Sequence, residues 1–265
     1  MLCRYDKIKK NLISPDRQFI SDVVYFDKIN STNIAAKKIN CVSNTLYVAE
    51  MQTNGRGRNG RKWISPKGSG IWMSIVTLPK IKLDNVSQIT LVAGLAVCEI
   101  LNRDYGINAK IKWPNDIVVN GKKLCGILTE AVSENGVTKK VITGIGINVN
   151  NKHFPKEIRD VATSLIILIS QKSDRTKIIN NVLDSFEKYY NELINEGNLK
   201  KIIDEYKTLC VNIGKEVVST SKTEVVEGIA TDITEKGELV IQKKDGNTVA
   251  VNSGEVSVRG IYGYI

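Results

Sequence analysis

Residues 55–63 read Gly55-Arg56-Gly57-Arg58-Asn59-Gly60-Arg61-Lys62-Trp63, three glycines and four cations in one short run. The run matches GxGxxG, the pattern that opens the first helix of a dinucleotide-binding fold, so whether a helix follows decides the fold. None can: Trp63, Ile64, Ser65, Pro66, Lys67, Gly68 and then Gly70 come next, and proline and glycine at that density do not make a regular helix. The doubly wound parallel class is set aside. What remains is a mobile loop whose glycines let backbone approach a ligand closely and whose guanidinium groups fork onto carboxylate or phosphate oxygens. A solvated basic turn is the alternative on composition alone.

Outward from that loop, strands are expected at Asp22 to Phe26, Leu46 to Glu50 and Gly70 to Leu78. Ser31, Thr32 and Asn33 offer N-cap oxygens to a short helix through Ala35, Ala36 and Ile39. From Val86, apolar residues recur at Ile89, Ala93, Ala96, Val97, Ile100 and Leu101, a helical spacing that should cover a sheet. Strands near Ala109 to Lys112, Ile117 to Val119, Leu124 to Val132 and Val141 to Val149 then form a mostly antiparallel meander, with turns at Asn120-Gly121 and Glu134-Asn135-Gly136. Two further helices follow, one from Asp174 with Ile178, Val182, Leu183, Phe186, Tyr189, Tyr190 and Leu193 on one face, the other through Leu199, Ile202, Ile203, Tyr206 and Leu209. Helices segregated from strands define an α+β class, a mixed, mostly antiparallel sheet covered by helices. After residue 210 short strands alternate with glycine turns, the pattern of a small β-barrel. The expected division is an N-terminal arm over 1–20, with a turn at Ser14-Pro15-Asp16, a main domain over 21–210 and a small domain over 211–265.

Two more constellations carry chemistry. Lys112-Trp113-Pro114-Asn115-Asp116 sets a cation and an anion around a rigid corner, and Gly121, Lys122, Lys123, Leu124, Cys125, Gly126, Ile127 and Leu128 follow. Lys112 suits a carboxylate or phosphate; Asp116 suits a metal ion or an attacking amine; an ion pair at a turn explains the two equally well. Gly144-Ile145-Gly146-Ile147-Asn148 puts two glycines in an apolar strand, as a close approach or a β-bulge requires.

Whole-chain quantities bound the answer without choosing it. A chain of 265 residues, 42% hydrophobic, buries a sizeable core. The net charge of +10, from 38 Lys and Arg against 28 Asp and Glu, favours anionic ligands or an acidic partner, although the cations are dispersed. Five cysteines without a CxxC pair argue against a disulfide framework and a zinc site, and point to a reducing, cytoplasmic setting. His153, the single histidine, sits in a polar stretch and is expected at the surface, so neither a metal site nor histidine-based catalysis is expected. No signal-peptide or membrane-length apolar run is evident, and no membrane association is expected.

Ser-Thr-Asn, GRGRxGRxW, KWPND, GKKxxGIL and GIGxN occur here in the order found in biotin protein ligases, and over about residues 22–260 the chain resembles that family. The resemblance implies a fold of the class II synthetase-like kind followed by an SH3-like domain. It implies a two-step reaction in which biotin and MgATP give biotinyl-5′-AMP, from which biotin passes to a lysine of a biotin carboxyl carrier protein. By the same resemblance Ser31, Thr32, Asn33, Gln52, Gly55, Arg56, Gly57, Arg58, Lys112, Gly126, Gly144 and Gly146 would bind biotin. Arg58, Arg61, Trp63, Lys112, Asn115 and Asn148 would bind ATP, and Arg58, Lys112 and Asp116 would be catalytic. A lipoate ligase is the nearest alternative, but the Gly-Gly-Gly motif of those enzymes is missing. A biotin-responsive DNA-binding regulator is the alternative from another class; residues 1–20 are too short for a helix-turn-helix module, so no operator binding is expected. A homodimer fits some family members.

Overall fold

The computed structural model describes residues 18–79, 81–135, 137–221 and 224–253, and the backbone of 257–260. Most of the expected arm, including the Ser14-Pro15-Asp16 turn, lies outside the described residues, as does Gly136 of the expected turn.

Seven strands form the main sheet: β1 (Asp22–Phe26), β2 (Thr45–Ala49), β5 (Gly70–Thr77), β6 (Lys110–Lys112), β7 (Asp116–Val119), β8 (Lys122–Glu134) and β9 (Val137–Asn148). Their order is β1-β2-β5-β9-β8-β7-β6. Only β1 and β2 run parallel; every other neighbour is antiparallel. The meander from β6 to β9 is as expected, with β8 and β9 longer than the apolar runs suggested.

Period-two alternation sorts the sheet's side chains between two layers. On one face Met73, Ile75, Ile127, Ile145 and Ile147 join the main core. That core is covered by helices α2 (Val86–Tyr105) and α4 (Arg175–Glu196), which pack on each other. Helix α2 is buried around most of its circumference from Gln88 to Leu101 because it lies between the sheet and α4. The segment Leu83–Tyr105 is long and apolar enough to cross a membrane by composition, yet 72% of the window is buried inside the fold, which marks it as a core helix. Asp174 caps α4 through the amides of Thr176 and Lys177, and Gly197 closes it in the left-handed region at φ 73°. A short helix α3 (Leu165–Ile169), which no sequence period announces, precedes it, and α5 (Ile203–Leu209) follows.

The opposite face carries helix α1 (Thr32–Lys38), whose Ala36 packs with Tyr47, Val76 and Ile142. The face's remaining area, toward the carboxyl end of β9, holds the site.

Three readings are refined. Residues 52–65 are a β-hairpin and not an irregular loop: β3 (Gln52–Arg56) pairs with β4 (Lys62–Ser65) across a 3-10 turn at Arg58–Gly60. Asn59 and Gly60 take φ 55° and 73° there, the left-handed conformation these two residue types tolerate best. Gly144 and Gly146 do not form a bulge, since both pair in regular register with Ser74 and Trp72 on β5 and with Leu128 and Gly126 on β8. Finally, the C-terminal strands β10 (Glu216–Thr220), β11 (Val225–Ile233), β12 (Leu239–Gln242), β13 (Thr248–Val251) and β14 (Ser257–Gly260) make an antiparallel sheet of order β13-β12-β11-β10-β14. Among the described residues its edges β13 and β14 do not pair, so no closed barrel is seen there.

Candidate active site

Ser31, Thr32 and Asn33 are all buried at the start of α1. They do not cap it as expected: the Ser31 side chain makes no cap hydrogen bond, and the Thr32 amide instead donates 2.9 Å to Gln52 Oε1 on the hairpin. Ser74 Oγ lies 2.7 Å from Thr32 Oγ1 and 2.6 Å from Asn33 Oδ1. Asn33 Nδ2 donates to Leu128 O at 3.2 Å and to Glu130 Oε2 at 2.9 Å. Glu130 also accepts from Lys37 at 2.7 Å and faces Arg56 at 3.5 Å. Burial opposes ionisation of Glu130, but the hydrogen bonds from Lys37 and Asn33 and the nearby Arg56 outweigh it and hold the carboxyl below its ordinary range.

The two strand glycines have a purpose in this arrangement. A β-carbon on Gly144 would meet the Asn33 carboxamide, and one on Gly146 would meet the Trp63 indole nitrogen. A β-carbon on Gly126 would lie 2.9 Å from the same ring. Trp63 therefore packs against bare backbone, with Lys123 Nζ 5.3 Å from its ring centroid and its own Nε1 buried with no hydrogen-bond partner among the described residues.

Around Trp63 two cavities meet. The smaller, about 50 Å³, is lined by Ser31, Thr32, Asn33, Gln52, the Arg56–Arg58 turn and the glycines of β8 and β9. The larger, about 810 Å³, is lined by Arg58, Arg61, Trp63, Lys112, Asn115, Asp116, Lys123 and Asn148, and is closed by Asn151, His153, Phe154, Pro155, Ile158 and Ala162. Arg58 borders both, donating to Asn115 Oδ1 at 3.0 Å and to the Ser253 carbonyl at 2.6 Å. Desolvation lowers its pKa, Asp116 raises it and Arg61 lowers it. Lys112 and Asp116 oppose one another in register on β6 and β7. Asp116 is salt-bridged to Lys123 at 2.6 Å. A third cavity of about 790 Å³ opens on the other side of Arg58, between the hairpin, Asp84 to Thr90, β8 and the C-terminal sheet.

The fold thus gathers almost every residue singled out from the sequence. Gly55 is the exception: it lines none of these cavities and is packed against Trp63 O within the hairpin. Lys123, Ser74 and Glu130 were not singled out. Lys123 stands in a recognised motif, and Glu130 lies at an even spacing from Gly126 on the same strand, so both were within reach. The wall at 151–162 has neither helical nor strand periodicity to reveal it. His153 is exposed, as expected, but on the cavity's rim.

A buried polar set thus lies beside a cluster of cations on the open face of a mixed sheet, an arrangement suited to a small ligand that carries negative charge. Residues 23–148 match the biotin/lipoate A/B protein ligase family, and residues 213–259 match the biotin protein ligase C-terminal domain. The chain is 39% identical over 231 residues to the bifunctional ligase/repressor BirA of Bacillus spizizenii, covering 84% of this chain and 70% of that protein. It is 31% identical over 220 residues to the biotin–[acetyl-CoA-carboxylase] ligase of Mycobacterium tuberculosis, covering 81% and 79%. The biotin protein ligase of Aquifex aeolicus, solved with biotin and ATP, superposes with a TM-score of 0.82 at 33% identity over 91% of this chain and all of that one. The chain belongs to the biotin protein ligase family.

Proposed function

We propose that the protein activates biotin with MgATP and then transfers it to a lysine of a biotin carboxyl carrier protein or domain. In the first step a biotin carboxylate oxygen attacks the α-phosphorus, the bond to pyrophosphate breaks, and biotinyl-5′-AMP forms. In the second an acceptor amine attacks the acyl carbon, AMP leaves, and the amine's proton is lost. The observation that carries this reading is the meeting of the two cavities at Arg58, Lys123 and Trp63, one small and bordered by Ser31, Thr32, Asn33 and Gln52, the other large and bordered by Arg58, Arg61, Lys112 and Lys123.

Ser31, Thr32, Asn33 and Gln52 would hold biotin in the smaller cavity. Arg58, Lys112 and Lys123 would face the carboxylate and α-phosphate, where negative charge accumulates as both anions approach. Arg61, Trp63, Asn115 and Asn148 would lie along the nucleotide. Asp116 would take up the incoming amine once Lys123 turns from it to the phosphate. Arg58 closes the site by holding the hairpin to Asn115 and Ser253, keeping water from the anhydride.

Pyrophosphate release and label transfer to a carrier domain, measured with biotin and in parallel with lipoate, test the reading. Biotin-dependent release with transfer to one lysine is expected; activity with lipoate alone, or with neither, overturns it. Arg58→Gly should release more biotinyl-5′-AMP to solution than the parent. Lys112→Ala should slow pyrophosphate release by on the order of 100-fold, as loss of a charge-assisted contact to developing phosphoryl charge does elsewhere.

A further inference from the structure

Alternate residues of β9 face α1 and the site: Lys140, Ile142, Gly144 and Gly146. Ile142 packs on Ala36 in the middle of the helix, Gly144 receives Asn33, and Gly146 receives Trp63. Lys140 is the remaining member and has no part in the chemistry above. It is only 6% exposed, an unusual place for lysine. Its amine donates to Ala36 O at 2.8 Å, Lys37 O at 3.0 Å and Ile39 O at 2.7 Å. Three carbonyl acceptors match the three donors of a lysine ammonium, which offsets part of the cost of burying it.

These carbonyls are the unpaired acceptors that end α1, a helix of seven residues. So short a helix is not self-supporting; at its other end Ser31 makes no cap bond, the first turn has no acidic residue, and the Thr32 amide relies on Gln52 Oε1. The Lys140 cation therefore restrains the carboxyl end, where the helix's own Lys37 and Lys38 also lie. The bulge between Val132 and Ser133 in the β8–β9 register lies beside Lys140 and sets where along β9 the side chain emerges. One strand thus grips the helix at its tail, middle and head.

We infer that Lys140 is a positioning residue for the biotin site: by clamping the carboxyl end of α1 it fixes the depth at which Thr32 and Asn33 meet Ser74, Gln52 and Gly144. This rests on the reading that the smaller cavity takes biotin, but the clamp is also readable without any ligand.

The test uses the full chain with Lys140→Met, which keeps the apolar stem and removes the donors. In the ligand-free protein, amide exchange at Ala35 and Ile39, which report the helix bonds to Ser31 and Ala35, should quicken about tenfold or more. Biotin KM should rise about tenfold while the KM for ATP and kcat stay within about twofold, because the ATP wall lies on other elements. Lys140→Arg keeps the charge, but its planar fork cannot meet three carbonyls of one helix end, so it should restore part of the biotin affinity. Unchanged exchange together with unchanged biotin KM overturns the inference, as does a fall in kcat with biotin KM unaltered. If Lys140→Met does not fold, Lys140→Arg decides: weakened biotin binding with faster α1 exchange supports the clamp, and parental values for both sink it. If the parent itself does not bind biotin, the functional reading fails while the exchange measurement still judges the clamp.

Discussion

At the residue scale the site is shaped as much by missing side chains as by those present. Gly144→Ala would place a methyl group against the Asn33 carboxamide, and neither Asn33, held by Ser74, Leu128 and Glu130, nor the paired strand can yield without loss. The expected result is a biotin KM raised on the order of tenfold or more with fold stability reduced by about 1–3 kcal/mol, the usual cost of overpacking. Titration of biotin into the variant checks it, and parental affinity would show that Asn33 has room to move. Glu130 supplies a pH prediction. Its carboxyl is held below the ordinary value of 4.5, so its contribution is fully present above that value and is lost as pH falls through the lower, folded one. Glu130→Gln should therefore be less stable than the parent at neutral pH, by about 1–2 kcal/mol for hydrogen bonds to a charged group, with the difference disappearing in acid. Denaturant titrations of both proteins at neutral and acid pH measure this. A gap that stays constant into acid would mean that the charge on Glu130 is not what ties Asn33, Lys37 and Arg56 together.

At the scale of elements the hairpin β3–β4 borders both cavities. It is bound to the body by Gln52 on Thr32, by Trp63 on the glycine backbone and by Arg58 on Asn115 and Ser253, whereas Asn59 to Lys62 at its tip are exposed. Trypsin should cut after Arg61 or Lys62, and biotin with MgATP should slow the cut several-fold by adding contacts to Arg58 and Arg61. Equal rates with and without ligands would show that the tip does not engage them. The hairpin also shows what was legible in the chain. The apolar runs of β5, β8 and β9 and the 3.6-residue spacing of α2 and α4 announced themselves because they pack on the main core. The strands β3 and β4 are short and outside the main sheet, and β3, Gln52-Thr53-Asn54-Gly55-Arg56, has no apolar side chain, so no alternation marks them, and the Asn59-Gly60 turn lies within what reads as a loop. The wall at 151–162 leaves no period for a related reason: it is held by short turns, a single backbone bridge of Ala162 to Lys123 and the Ser164 hydroxyl on Asn151 O, with no regular element.

For the whole molecule, the question is whether the C-terminal sheet is an appendage or part of one cooperative unit. Its Val217, Val226, Ala230, Ile233, Leu239, Ile241 and Val251 belong to the same contiguous core as α2 and the main sheet. Polar ties reinforce the contact: Asn212 Oδ1 accepts from the Trp113 amide at 2.7 Å, Trp113 Nε1 donates to Gly237 O at 3.0 Å, and Lys207 pairs with Asp232 at 2.7 Å. Trp113 is 1% exposed and stands between Lys112 and Asn115, so the corner that aims those two residues into the larger cavity is pinned from the C-terminal side. Trp113→Phe keeps most of the ring's bulk but leaves the Gly237 carbonyl without its donor, which should cost about 1–3 kcal/mol. If the core is shared, the variant unfolds earlier but still in a single calorimetric transition, and pyrophosphate release slows because Lys112 is less firmly held. If two transitions appear, or if stability falls while the rate of pyrophosphate release is untouched, then the C-terminal sheet folds by itself and does not set the geometry of the site.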